Sequence, residues 1–537
     1  MPTMVASGPN PEMEVPSKQE SAHFSASGIA RSVFSNWFGM AANLLVAFFM
    51  SPFVVYRLGN TAYGIWTLVL QLTGYMGVVD VGLRSALIRF ISRFHAQKDS
   101  ESLNALFSTT MIVYSALAAA VFGVGCLMAA FALPFLHIPK DMMGESRITL
   151  MVAAMILATD FIFATYQAAL GGLSRWDLRN GVAVGVMLLR TVLSVIALLY
   201  GYGLVSLAVI QLGSSMVGHA FEVGLVKRLL PKLEISARNW RKSILGPVMS
   251  HSGNSFLISL GQTINYGVDS VVIAVFLPVA QVTLYAIGMR LVQQLRIIIN
   301  GSALIVAPLA SELDAQGRHD EVGQLLIRGT KYTLLVGFLG TATLLCIGPD
   351  FIRVWMGVQY GPSSGLILRI MAASQFVALT EMMATHLLYG LGKHRINVYC
   401  TLAEAVINLG ASIMLAKRYG IYGVAAGTTV AAVLVKGTVF PMLFLRTLKV
   451  DWRDYLRWGI VPNILPTLGF AVGSLVMHDL VPIHNWPTFL LSAAAGLVLF
   501  LPAAWFSALD DAERERLSGI IRKALPGGSA AATPIAR

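Results

Sequence analysis

Arg290 stands inside an otherwise apolar run, YAIGMRLVQQL, that begins at Tyr285. At helical spacing Arg290, Gln293, Arg296 and Asn300 share one polar arc. Just upstream, Ser255, Ser259, Gln262, Tyr266 and Asp269 follow one another at steps of four, three, four and three, a polar stripe along a single helix. Asn36 and Asn43, seven apart, share a face nearer the start of the chain. An arginine at the centre of a membrane helix costs roughly 2.5–3.5 kcal/mol. The surrounding apolar residues outweigh that cost, so the helix inserts, but the charge must meet water, a partner or a ligand. The stripe is expected to line a wet cavity, and the isolated Asn and Ser positions to knit helices together. For Arg290 two readings stand open: contact with a ligand, or an ion pair with Asp269.

The other charges expected in the membrane are Asp160, Arg190, Arg369, Glu381, Glu404 and Lys436. Asp160 and Arg190, both mid-span, are predicted to pair. Lys436 is predicted to snorkel toward the cytoplasm, and Glu381 and Glu404 to meet loop cations near inner helix ends. Acids and bases nearly balance, so the tally alone does not indicate an anionic ligand. His219, His251 and His386 have no metal-ligand spacing and are expected to be structural, while Cys126, Cys346 and Cys400 read as buried free thiols. No metal and no cofactor is expected. The chain has no GxxxxGK[ST] phosphate loop, no HExxH and no nucleophile elbow. The expectation is a protein that is not an enzyme and has no catalytic residues.

The elements that must hold these residues are membrane helices. Of 537 residues, 56% are hydrophobic and 12% charged, and the mean hydropathy is +0.69. A soluble protein of this length carries about twice that charge. Apolar runs of about 20 residues recur from 32–56 to 487–507, each able to cross a bilayer core of roughly 30 Å. The prediction is an all-α integral membrane protein with about 14 transmembrane helices. With a cytoplasmic N-terminus, six of the 39 Lys and Arg fall outside (Arg57, Lys140, Arg147, Arg353, Lys417 and Arg418), five fall within spans and 28 fall inside. That bias is the positive-inside pattern. The net charge of +12 is therefore a topology signal, and no nucleic-acid partner is expected.

The run at Tyr285 also has an earlier counterpart, YGIWTLVLQL from Tyr63, 222 residues before it. ALGGLSRWDLRN at 169–180 matches LYGLGKHRINVY at 388–399, and YGYGLVSLA at 200–208 matches YGIYGVAAG at 419–427. Three pairs at a near-constant offset imply a duplicated unit of six helices, both copies facing the same way. The predicted organisation is a disordered cytoplasmic tail at 1–28 without a signal peptide, a first lobe at 29–229 and a second at 230–446. Two further helices lie at 447–507, and a cytoplasmic tail at 508–537 carries a short amphipathic surface helix.

The first lobe contains Leu-Gly-x3-Tyr-Gly at 58–64 and Asp-x-Gly-Leu at 80–83, followed by Arg89. The second contains Asp269, Tyr285, Arg290 and Pro308, then NLGASIMLAKRYGIYGVAAGT at 408–428. This arrangement resembles the polysaccharide-transporter (Wzx-type) flippases of the multidrug/oligosaccharidyl-lipid/polysaccharide (MOP) exporter superfamily, over twelve helices. The resemblance implies a flippase that moves a polyprenyl-pyrophosphate-linked oligosaccharide from inner to outer leaflet by alternating access, for capsule, O-antigen or exopolysaccharide assembly in a bacterial inner membrane. It implies a cationic cavity in which Arg290, with Arg296 as second candidate, holds the phosphates, while Asp269 positions the arginine or couples to ions. The substrate-binding candidates are Arg290, Arg296, Gln293, Asn300, Asp269, Gln262, Tyr266, Asn36, Asn43 and Arg190. The implied partners are the membrane and the lipid-linked glycan, with a glycan polymerase and a chain-length regulator as further candidates. The alternatives are a peptidoglycan lipid II flippase and a multidrug/cation antiporter of the same superfamily. The antiporters use acidic groups in their lobes, and the first helix here has no carboxylate.

Overall fold

The computed structural model describes residues 26–303 and 306–524, and they form helices and short connections with no strand among them. A helix satisfies its own backbone donors and acceptors, which a chain this apolar needs in lipid. The first half consists of α1 (Ala26–Ala96), α2 (Ser100–Leu127), α3 (Met143–Gly172), α4 (Trp176–Leu199) and α5 (Leu204–Leu229). The second half runs through α6 (Lys242–Phe276), α7 (Ala280–Ala303), α8 (Val306–Ala315), α9 (His319–Cys346) and α10 (Gly348–Met356). It continues with α11 (Gly361–Ala373), α12 (Gln375–Ala378), α13 (Met382–Gly390), α14 (Arg395–Leu434), α15 (Phe440–Leu448) and α16 (Trp452–Asp454). Then come α17 (Ile464–Leu480), α18 (Trp486–Ser507) and α19 (Asp511–Ala524).

Two of these helices are each a pair joined at a glycine. Within α1 the backbone breaks at Gly59 (φ 78°, ψ 167°), and within α14 at Gly420 (φ 60°, ψ −140°). Only glycine enters such conformations without strain, and both fall where the sequence predicts a turn between two spans. Among the described residues nine segments are long and apolar enough to cross a membrane, or up to eleven if two bent helix pairs each count as one span. Two of the nine, Phe38–Val78 and Arg395–Leu448, contain the glycine breaks. The predicted span 281–309 falls within one candidate span, Ala280–Ala315.

Each half has its own core. One cluster, including Leu87, Phe107, Phe161 and Val226, draws on the first half, with Ile244 of α6 packed against it. Another, including Leu326, Leu387 and Phe444, draws only on the second. A third joins both halves through Ile65, Leu68, Ile273 and Val282. A smaller cluster seats α17 and α18 against α9 through Ala342, Phe470 and Phe500. Outward-facing Phe49, Leu199, Leu465 and Phe506 are exposed, as a lipid-facing surface requires.

The halves are tied at the ends carrying Gly59. Thr283 Oγ1 donates to the Asn60 carbonyl at 2.6 Å, and the Tyr360 hydroxyl donates to Asn60 Oδ1 at 2.6 Å. Trp355 Nε1 donates to the Phe48 carbonyl at 2.8 Å, with the two rings stacked at 5.7 Å. Gly64 lies so close to α7 that a Cβ there would collide with the Val279 carbonyl oxygen. No larger residue fits that crossing.

Candidate functional site

Between the tied halves lies a cavity of about 470 Å³. Its only charged lining residues, among those described, are Arg190 from α4 and Arg290 from α7. The rest of its polar wall is neutral and includes Asn43, Gln71, Gln211, Gln293 and Gln294. Arg290 Nη1 donates to the Tyr63 hydroxyl at 3.4 Å. No carboxylate among the described residues forms an ion pair with either arginine. The Asp269 reading of Arg290 is thereby corrected. Asp269 is 0% exposed and accepts from Tyr285, from Thr428 Oγ1 at 2.8 Å and from Ser412 Oγ at 3.4 Å. Hydroxyls, not the arginine, satisfy it.

The remaining acids are also occupied. Asp80 pairs with Arg84 at 2.6 Å and accepts from Tyr114 at 2.7 Å. Asp160 does not pair with Arg190 as predicted. It meets His219 Nε2 at 3.0 Å, while Glu222 meets the other ring nitrogen at 3.3 Å. The helix rotation decides this, because His219 and Glu222 lie three apart on the face of α5 that packs on α3. Lys436 does not snorkel. It is 8% exposed and lies 3.4 Å from Glu381 and 3.1 Å from Glu404. Two buried carboxylates hold it better than the interface would. A near-balance of charge along the sequence thus becomes a segregation in space, with two arginines left facing the central cavity.

Not every predicted residue reaches this cavity. Arg190, Asn43, Arg290 and Gln293 do. Arg296 instead donates to Gln375 at 3.3 Å and lines a separate cavity of about 30 Å³ with Glu404 and Lys436. Asn300 meets His386 Nε2 at 3.0 Å. Gln262 is exposed outside the central cavity. The side chains of Asn36, Ser255 and Tyr266 lie outside the described residues, as do the tails at 1–25 and 525–537. The amphipathic tail helix is present as α19, where Glu513 takes Lys331 at 2.8 Å. Sequence reasoning passed over Gln71, Gln211 and Gln294, whose signal was an uncharged amide in an apolar run.

A second cavity, of about 460 Å³, adjoins the first and shares Asn43, Met187 and Arg190 with it. Its wall adds Asp160, Arg179, Asn180, His219 and Glu222. Among the described residues no group of three or more His, Cys, Asp or Glu side chains could hold a metal ion. The oxygens around Asp269, which include Asn408 and the Val424 carbonyl bonded to the same hydroxyls, form a separate buried set.

Two helical bundles facing a polar cavity are an architecture that this chain shares with solved transporters. A lipid II flippase, MurJ, in an inward closed conformation superposes with a TM-score of 0.67 at 14% identity, covering 89% of this chain and 98% of that one. An inward-facing multidrug resistance transporter of the MATE family gives 0.60 at 16% identity, covering 79% and 99%. Residues 29–314 match the family described as polysaccharide biosynthesis protein, and the chain belongs to it. Residues 223–477 also match lipid II flippase MurJ. Among curated relatives, the uncharacterized membrane protein EpsK of Bacillus subtilis is 19% identical over 90% of this chain and 95% of its own length. A putative O-antigen transporter of Shigella flexneri is 21% identical over 74% and 94%. A probable flippase, AglR, of Haloferax volcanii is 23% identical over 71% and 76%.

Proposed function

We propose that this protein flips a polyprenyl-pyrophosphate-linked oligosaccharide across the membrane by alternating access, for surface or secreted polysaccharide assembly. The observation that carries this reading is the pair Arg190 and Arg290, which face one cavity with no carboxylate in its described wall. Guanidinium groups donate to phosphate oxygens through a planar fork, and a diphosphate offers several such acceptors. A cationic drug would need an acid there, so the cavity disfavours the antiporter. Family membership and the relatives named for O-antigen transport and flipping support the same class.

In this reading the chain crosses the membrane fourteen times. The breaks at Gly59 and Gly420 are short loops, each bent pair is one span, and α6 is one more. Residues 29–229 and 230–446 are the two moving lobes, 447–507 an addition, and both termini are cytoplasmic, as the 28-to-6 distribution of cations indicates. The ties at Asn60 and Trp355 then close the outer side. Asp269, buried among hydroxyls, is the candidate for ion coupling, and a polymerase and a chain-length regulator are candidate partners. The match of residues 223–477 to MurJ favours lipid II as the second substrate to test.

The test is a lipid extraction from cells lacking this gene but retaining the glycan-assembly enzymes. A completed lipid-linked repeat unit should accumulate while surface glycan is lost, and mass spectrometry would name the glycan. Intact export without accumulation, together with altered sensitivity to cationic drugs, would support the antiporter instead.

A further inference from the structure

We propose that the cavity walled by α1, α3, α4 and α5 is a sugar subsite selective for an uncharged sugar adjoining the diphosphate. This rests on the flippase reading and extends it to the class of glycan carried.

The two cavities meet at Asn43, Met187 and Arg190. A ligand with its diphosphate between Arg190 and Arg290 can therefore run past Arg190 into the second space. The chemistry of the wall changes at that point. The central cavity offers arginines and amides and no carboxylate, whereas the second adds Asp160 and Glu222. Their side chains are 38% and 10% exposed. Each carboxylate spends one oxygen on His219, Asp160 through Oδ1 and Glu222 through Oε2. The second oxygen of each has no partner among the described residues. The His219 ring is fixed by stacking on Phe163, with centroids 4.7 Å apart.

This arrangement suits sugar hydroxyls. A hydroxyl donates to a carboxylate oxygen and accepts from an amide or guanidinium, and Gln167 and Arg179 supply those on the same wall. A metal ion is poorly served, because His219 already fills the space between the carboxylates. With Arg190 on the diphosphate, Arg179 is the arginine left on this wall, and a uronic acid would bring a third carboxylate against both Asp160 and Glu222, whose repulsion opposes that attraction. A neutral sugar meets no such penalty.

The test measures binding to the full-length protein in nanodiscs of three lipids: bare polyprenyl pyrophosphate, the same lipid bearing one neutral hexose, and the same lipid bearing one uronic acid. The wild type should prefer the hexose lipid over the bare lipid roughly tenfold, the effect of about two net hydrogen bonds, and should bind the uronic-acid lipid more weakly than the bare one. Asp160→Asn and Glu222→Gln should shrink the hexose preference and raise affinity for the uronic-acid lipid, a gain that misfolding cannot produce. If the wild type binds both sugar lipids equally, or both variants leave the ratios unchanged, the subsite is overturned while the flippase reading stands. Failure of the wild type to bind even the bare lipid would overturn both.

Discussion

The Arg290 guanidinium donates to the hydroxyl of Tyr63 from the opposite half of the molecule, at 3.4 Å. Tyr63 and Tyr285 open the two similar sequence segments, and Arg290 lies within the second. The meeting of Arg290 with Tyr63 places the second segment's cation at the wall of the first half, where the shared cavity lies. Tyr285 has another task, donating to Asp269. Both tyrosines line the central cavity, and only Tyr285 also reaches the buried acid.

Replacing Arg290 or Arg190 by alanine should slow translocation sharply. A hydrogen bond to a charged group contributes about 1.5–3 kcal/mol, so each substitution should lower flipping in proteoliposomes by roughly ten- to a hundredfold. Arg290→Lys should recover part of the loss, because it restores the charge without the fork. Flipping within twofold of wild type in Arg290→Ala would remove this arginine from the substrate site.

Tyr360→Phe removes the hydroxyl that holds Asn60 Oδ1. One neutral hydrogen bond contributes about 0.5–1.5 kcal/mol. The population of the state tied at Asn60 should therefore fall about two- to tenfold relative to the alternative state. Spin-label distances across the Gly59 end would report this as growth of a longer component. An unchanged distribution would mean that Trp355 and the Gly64 contact suffice.

Lys436→Met should destabilise the protein more than replacing Lys436, Glu381 and Glu404 together by Met, Gln and Gln. The single change strands two buried carboxylates, and breaking a buried ion pair costs roughly 3–5 kcal/mol. The triple change removes the charges along with their desolvation cost. Melting temperatures in detergent would rank the two, and the reverse order would argue that the cluster works mainly by packing.

The tail helix α19 should loosen in acid. Burial alone would raise the Glu513 carboxyl, but hydrogen bonds from Lys331 and from the Asp510 backbone outweigh it and hold the carboxyl below its ordinary range. Its contribution is thus complete above the unfolded value of about 4.3 and is lost as pH falls through the lower folded value. Amide exchange in α19 should accelerate on acidification below that point, and Glu513→Gln should show the fast exchange already at pH 7. Equal protection in both proteins would place the docking on Arg514 and its bonds to the Trp505 and Phe506 carbonyls.

The sequence by itself determined whatever depends on local composition and period. Apolar length specified membrane helices, and the boundaries read between 56 and 62 and between 416 and 421 fall on the backbone breaks at Gly59 and Gly420. The returning Tyr-x-Ile pattern pointed to a duplication, and a lone arginine in an apolar run singled out Arg290. These signals need only the chain and the solvent. Charge pairing needs to know which helix faces which, and only the tertiary structure decided that. Along the sequence Asp269 lies nearest Arg290 in the pattern, and Asp160 matches Arg190 in depth. In space, side-chain packing turns Asp269 into hydroxyls, gives Asp160 to His219 and sets Lys436 between Glu381 and Glu404. The balanced charge tally concealed the two arginines that face the cavity, because ion pairs form over about 3–4 Å, a distance set by helix rotation and crossing rather than by sequence separation.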